Sequence, residues 1–257
     1  MTTTLPTRRS LLLCATSLSI ASVLKSAAAS EASMRHIQPL LVGTRWETRC
    51  HIHASGRPGP VVVVMAGVHG DEPAGSLAAR AMNDWAIDRG TLLVLPRVNE
   101  PALRAGARFS PGTPHTDLAR CFPRRAGDEP QGPLAHALWR LLVRLHPDWL
   151  VDLHEGWGVH RRDPKTLGSS VMHGAGTREA AEHMIRAVNA TIADDRDHFV
   201  PVQTFIPGSS VFAASSFLNV ACVVQETTRS ARKLSTRVRQ HEVMTKCLLT
   251  HIGMLEP

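Results

Sequence analysis

The chain has 257 residues, 29 lysines and arginines against 22 acids, a net charge of +7 with histidines neutral, and 43% hydrophobic residues. These values fit a globular chain long enough for a large core and exclude wholesale disorder. Aromatics make up only 4% and tyrosine is absent, which argues against a base-stacking nucleic-acid platform.

Residues 1–29 contain Arg8, Arg9 and Lys25 and no acid. An apolar stretch from Leu11 to Leu24 and the small residues Ala27-Ala28-Ala29 follow the arginine pair. This predicts a signal peptide, of twin-arginine or general secretory type, cleaved after Ala29, and hence a periplasmic or secreted bacterial protein. The stretch is shorter than the ~20 residues that span a bilayer, so no stable membrane anchor is expected. The mature part, 30–257, reads as one catalytic domain.

Beyond it, Val61–Ala66 is a continuous apolar run that predicts a strand buried on both faces. Glu72–Ile87 has helical character, and Thr91–Leu95 is a second apolar strand. Arg97–Pro133 is a long Pro-, Gly- and Arg-rich loop, of a size that tends to be functional. Leu134–Leu145 predicts a helix, Asp148–Leu153 a strand, Arg178–Ile192 a helix, Val220–Gln225 a strand and Thr236–Ile252 a last helix. Alternating strands and helices predict an α/β chain with a mixed, largely parallel central sheet between helical layers.

Three motifs fall at strand ends, where open α/β sheets place their ligands. They are Gly67-Val68-His69-Gly70-Asp71-Glu72, Asp152-Leu153-His154-Glu155 and Gln225-Glu226-Thr227. Two histidines and one carboxylate make an open zinc site, the set also used by carboxypeptidase A. His69 and Glu72 are close enough in sequence to converge at a strand-to-helix turn, with His154 reaching in from a neighbouring strand.

With Asn99-Glu100-Pro101, Arg108-Phe109-Ser110-Pro111 and Asp117-Leu118-Ala119-Arg120, these motifs resemble the zinc carboxypeptidase superfamily. The nearer likeness is to its succinylglutamate desuccinylase/aspartoacylase branch, over roughly residues 58–250. The resemblance implies a three-layer α/β/α fold and one zinc ion held by His69, Glu72 and His154. It implies Glu226 as general base, Arg108 as the arginine that stabilises the transition state, and Arg120 as the group that grips a substrate carboxylate. Zinc can lower the pKa of a bound water to about 7 and polarise a carbonyl, and a carboxylate opposite it can move the proton.

The chain departs from the branch in three places. Ala119 stands where the family has an asparagine, and alanine cannot donate a hydrogen bond. No tyrosine exists to cover a substrate, and only 31 residues follow Glu226, so the small C-terminal β domain of aspartoacylases is not expected.

The remaining candidates read more plainly. Cys50, Cys121, Cys222 and Cys247 permit two disulfides in an oxidising compartment, although Cys222 lies in an apolar run typical of a buried thiol. His51 and His53 share one face of an alternating segment and read as solvated. His115 sits in the long loop, and His160 in a basic turn with Arg161 and Arg162.

Three functional readings stand at this point. The first is an exported zinc hydrolase removing an acyl group from a small acidic or acylated amino acid. The second is a carboxypeptidase or amidase acting on cell-wall peptides. The third is a zinc-bound but catalytically impaired binding module. No nucleic-acid partner is expected.

Overall fold

A computed structural model describes residues 33–113 and 116–256. The predicted signal peptide and His115 lie outside the described residues. Eight strands form one mixed sheet in the order β1-β2-β4-β3-β5-β8-β6-β7. In chain order the strands are β1 (Met34–Leu40), β2 (Thr48–Ala54), β3 (Val61–Ala66), β4 (Thr91–Leu95), β5 (Trp149–Gly156), β6 (Ser170–His173), β7 (Val200–Val202) and β8 (Ala221–Thr228). The four central strands β4, β3, β5 and β8 run parallel, as their buried apolar runs require. Antiparallel pairings β1–β2, β2–β4 and β6–β8 flank that centre.

The helices are α1 (Pro73–Met82), α2 (Glu100–Ala105), α3 (Gly132–Leu145), α4 (Arg178–Asn189), α5 (Ser210–Leu218) and α6 (Leu234–His251). α1, α4 and α6 cover one face of the sheet through Ala78, Met82, Met184, Val188, Met244 and Leu248. α3 and α5 cover the other through Leu138, Leu142, Ala213 and Ala214. This is the expected three-layer α/β/α arrangement.

The boundaries differ in several places. α1 stops at Met82 rather than Ile87, because the chain turns at Asn83–Trp85 with backbone bonds back to Arg80, Ala81 and Met82. The long loop holds α2 and a 3-10 turn at Leu118–Arg120. β5 and β8 run on to Gly156 and Thr228, so the second and third motifs lie inside strands rather than at their ends.

The cysteines follow the buried-thiol reading rather than the disulfide option, and one histidine expectation is corrected. Cys50, Cys121, Cys222 and Cys247 are all free thiols. Burial pushes Cys50 up to about 12 and raises Cys222 as well, as for small core side chains. His53 is buried, not solvated, beside Arg35 of β1 and the Asn83–Asp84 turn that follows α1, and His51 keeps partial exposure.

Candidate active site

β3 delivers the chain into a turn that carries His69, and the turn is held from below. Gly67 adopts φ +76°, and a Cβ there would meet Ser76 Oγ at 2.6 Å. A Cβ on Gly70 would meet the Ala102 carbonyl oxygen at 2.0 Å, so α2 lies directly against the turn. Asn99 Nδ2 donates to the Val68 carbonyl at 3.1 Å, and Ser110 Oγ donates to Asn99 Oδ1 at 2.6 Å. The Asn99 and Ser110 motifs thus brace the His69 turn and tie the long loop to it.

Glu72 is the N-cap of α1, yet its carboxylate makes no cap bond. Pro73 follows it and has no N–H to satisfy. The next amide, Ala74 N–H, donates instead to Glu155 Oε2 at 2.8 Å. Glu155 also pairs with Arg237 of α6. Freed from capping, Glu72 turns towards the two histidines. His69 Nδ1 lies 2.7 Å from Glu72 Oε1, and His154 Nδ1 lies 2.9 Å from Glu72 Oε2, which also accepts from Glu155 N–H at 3.0 Å.

The far side of each imidazole meets a second carboxylate. His69 Nε2 is 2.9 Å from Asp117 Oδ1, and His154 Nε2 is 3.4 Å from Asp152 Oδ1. Asp152 is itself held by Ser210 Oγ at 3.0 Å, and Asp117 by Ala119 N–H at 3.0 Å. Outer carboxylates of this kind orient ligand histidines in metal sites and set which nitrogen faces the ion. The donor atoms of His69, Glu72 and His154 lie within 4.8 Å of one another, and all three residues are buried.

The charges around this trio also fit a cation. Burial lowers both histidines, but for His69 the hydrogen bonds to Asp117 and Glu72, and for His154 the charges of Asp152 and Glu72, outweigh it and hold both above their ordinary value. Burial raises Glu72 and Asp117, but for Glu72 the two imidazoles, and for Asp117 His69 and Arg108, outweigh it and hold both well below the usual carboxylate range. Two imidazoles and a carboxylate within a ring of further acids suit a borderline divalent ion such as zinc.

Glu226 stands beside His154 in the β5–β8 register and faces the same cleft. It is buried, and loss of solvent raises its carboxyl above the ordinary range. Its neighbours on β8, Gln225 and Thr227, project to the opposite face. There Thr227 Oγ1 donates to His241 Nε2 at 3.2 Å, His241 Nδ1–H donates to Gln225 Oε1 at 3.0 Å, and Gln225 Nε2 donates to Thr245 Oγ1 at 2.8 Å. This relay needs a neutral His241, and burial, with the charge of His154, pushes it down to about 3. α6 thereby pins the strand that carries Glu226.

Arg108 donates to Glu72 Oε1 at 3.4 Å and to Asp117 Oδ2 at 3.1 Å. Arg120 lines the same cleft from the 3-10 turn, its NH1 donating to the Ala119 carbonyl at 2.8 Å. All six expected site residues therefore meet in one cleft of about 460 Å³. Met172, Ile206, Val211 and Val224 add apolar lining. At the mouth, Trp157 is 63% exposed, with the Arg229 guanidinium 4.4 Å from its ring centroid. His160 is elsewhere engaged, its Nδ1 at 2.6 Å from the Thr166 carbonyl.

Sequence reasoning missed the parts played by Asp117 and Asp152. Both sat inside quoted motifs, but their role depends on which ring nitrogen they meet, and that is a tertiary fact. Trp157, Lys165 and Arg229 also line the cleft and carried no motif.

Comparison with known proteins bears on the family and the fold. Residues 58–160 match the family model described as the succinylglutamate desuccinylase/aspartoacylase catalytic domain. The expected branch is the one matched. The matched segment holds His69, Glu72, Arg108, Arg120 and His154, whereas Glu226 lies beyond it. No curated protein matches the sequence.

Among solved structures, the cell shape determinant Csd4 of Helicobacter pylori superposes with a TM-score of 0.67 at 21% identity, over 76% of this chain and 52% of that one. The chain thus spans about half the length of Csd4. A succinylglutamate desuccinylase/aspartoacylase of Rhodobacter sphaeroides gives a TM-score of 0.62 at 21% identity, over 88% and 66%. A protein of Shewanella denitrificans gives 0.67 at 15% identity, over 91% and 90%. These likenesses establish a shared fold. No helix among the described residues is long and apolar enough to cross a membrane.

Proposed function

We propose that the protein is an exported zinc-dependent hydrolase that cleaves an amide bond in a small acidic or acylated substrate. The observation that carries this reading is the double embrace of the histidines. Each imidazole offers Nδ1 to the Glu72 side and Nε2 to a carboxylate of its own, Asp117 or Asp152. His69, Glu72 and His154 would hold the ion. Zinc, when bound, supplies Lewis acidity toward a carbonyl and makes a water acidic enough to attack near neutral pH.

The chain's own residues supply the rest. Glu226 accepts the proton of the attacking water and passes it to the leaving nitrogen. Arg108 can swing from Glu72 and Asp117 to the oxygen on which negative charge develops. Arg120 offers a guanidinium fork to a substrate carboxylate. The methyl of Ala119 leaves that carboxylate without the side-chain donor that an asparagine would supply. The apolar lining of Met172, Ile206, Val211 and Val224 excludes water and receives the uncharged part of the substrate.

We place deacylation of an N-acyl amino acid first, on the family match over residues 58–160. A second reading, trimming of cell-wall peptides, is favoured by the likeness to Csd4, described elsewhere as a D,L-carboxypeptidase with a bound mDAP form. The exposed Trp157 at the cleft mouth also suits a longer substrate. A mass-spectrometric screen of zinc-loaded mature protein against N-acyl amino acids and muropeptides separates the two. Release of a free amino acid from the first set supports deacylation, and loss of a terminal residue from the second supports the peptidase. Turnover of neither set leaves the third reading, a binding module.

A further inference from the structure

Away from the cleft, across the sheet, α4 and α6 lie side by side on buried Ala181, Met184, Ile185, Met244 and Leu248. On their outer surface Glu179, His183 and His251 form a second cluster whose ligand atoms all lie within 4.8 Å of one another. Glu179 and His183 are one helical turn apart, which puts them on one face of α4. His251 comes from the last turn of α6, and its ring stacks on that of His183 at 4.3 Å between centroids and 30° between planes. His183 Nε2 lies 3.9 Å from Glu179 Oε1, too far for a hydrogen bond.

We propose that Glu179, His183 and His251 form a second metal site, independent of the catalytic cleft, for a late first-row divalent ion such as zinc or nickel. Two imidazoles and one carboxylate are the donors such ions prefer, with water completing the shell. The helix backbones are fixed by the core beneath them, so the fold sets where the three side chains start. A tetrahedral zinc needs donor atoms about 3.4 Å apart for bonds of about 2.1 Å. The solvent-accessible side chains of Glu179 and His183, 81% and 40% exposed, can close that gap by rotamer changes. Two arginines neighbour the cluster. Arg178 is engaged by Glu182 at 2.9 Å, and Arg186 lies near Cys247, a turn before His251. Bound metal would clip the C-terminal turn of α6 to α4 and stabilise the fold by linkage.

Titration calorimetry and thermal melts on tag-free full chain, with zinc chloride and nickel chloride, test this. The wild type should bind one more equivalent of zinc than either His183→Gln or His251→Gln. Zinc at about 100 times its Kd should raise the wild-type Tm by about 5 °C or more beyond any rise in those variants. Glu179→Gln should keep the equivalent at about tenfold or greater loss of affinity. The metal-free variants should melt cooperatively near the metal-free wild type, since both replaced side chains are surface groups. Equal stoichiometry and equal zinc-dependent Tm shifts in all four proteins would overturn the proposal, as would an extra equivalent that survives both histidine replacements.

Discussion

His154 and Glu226 stand on adjacent strands in the middle of the sheet, whereas Arg108, Asp117 and Arg120 stand on the part of the long loop that follows α2. The strand-borne groups are buried, and their backbones are locked by parallel ladders and by the Gln225–His241–Thr227 relay behind them. The loop-borne groups are held by the groups they face as much as by one another: Arg108 is 39% exposed and ties to Glu72 and Asp117, and Asp117 meets His69. The contrast suggests a division of labour. In the proposed function, the groups that would keep a fixed geometry around an ion come from the sheet and from the turn directly after β3, and those that would follow a substrate come from the loop.

The strongest way to break this comparison is at the strand-borne groups. Glu226→Gln should lower kcat by about 10²–10⁴-fold while zinc content and fold are kept, as read by turnover and metal analysis. His154→Ala should lose both metal and activity. At the loop, Arg108→Ala should cost about 10²–10³-fold in kcat with an almost unchanged melting curve. A large loss of stability there would show that the loop is as structural as the strands.

A milder test concerns the relay. The folded value of His241 is about 3, against 6.5 when unfolded. Between those values the unfolded chain takes up a proton that the folded chain refuses. Stability is therefore full above pH 6.5 and falls as pH drops, by about 1.4 kcal/mol per pH unit. His241→Gln should flatten that slope between pH 6.5 and 4.5 in denaturant titrations, and an unchanged slope would detach the relay from the strand it is taken to pin. The smallest effect expected is at the substrate carboxylate. Ala119→Asn should lower KM for a carboxylate-bearing substrate and leave kcat nearly unchanged, whereas Arg120→Ala should raise KM.

Much of the site was legible in the sequence because its residues lie in or directly after uninterrupted apolar runs. Val61–Ala66 and Ala221–Val224 can only be buried strands, and they fix where His69 and Glu226 must emerge. The flanking elements were not legible. β1 and β2 mix arginine and histidine into their alternation, β6 and β7 have four and three residues, and α5 is apolar on most of its faces, so no period stands out. The disulfide option failed because four thiols spaced along a chain say nothing of distance in the fold. Asp117 and Asp152 were visible as letters, but their pairing with His69 Nε2 and His154 Nε2 arises only when a loop and a strand meet.

The central claim is that His69, Glu72 and His154 hold a catalytic ion opposite Glu226. Its most direct test is turnover of a hydrolysed N-acyl amino acid or muropeptide through a cycle of chelation and zinc reloading, with the wild type and Glu226→Gln side by side. The account predicts that the wild type loses activity on chelation and regains it with zinc, while Glu226→Gln takes up the same zinc at the cleft and stays inactive. Turnover that survives complete removal of metal, or that Glu226→Gln retains in full, would contradict it.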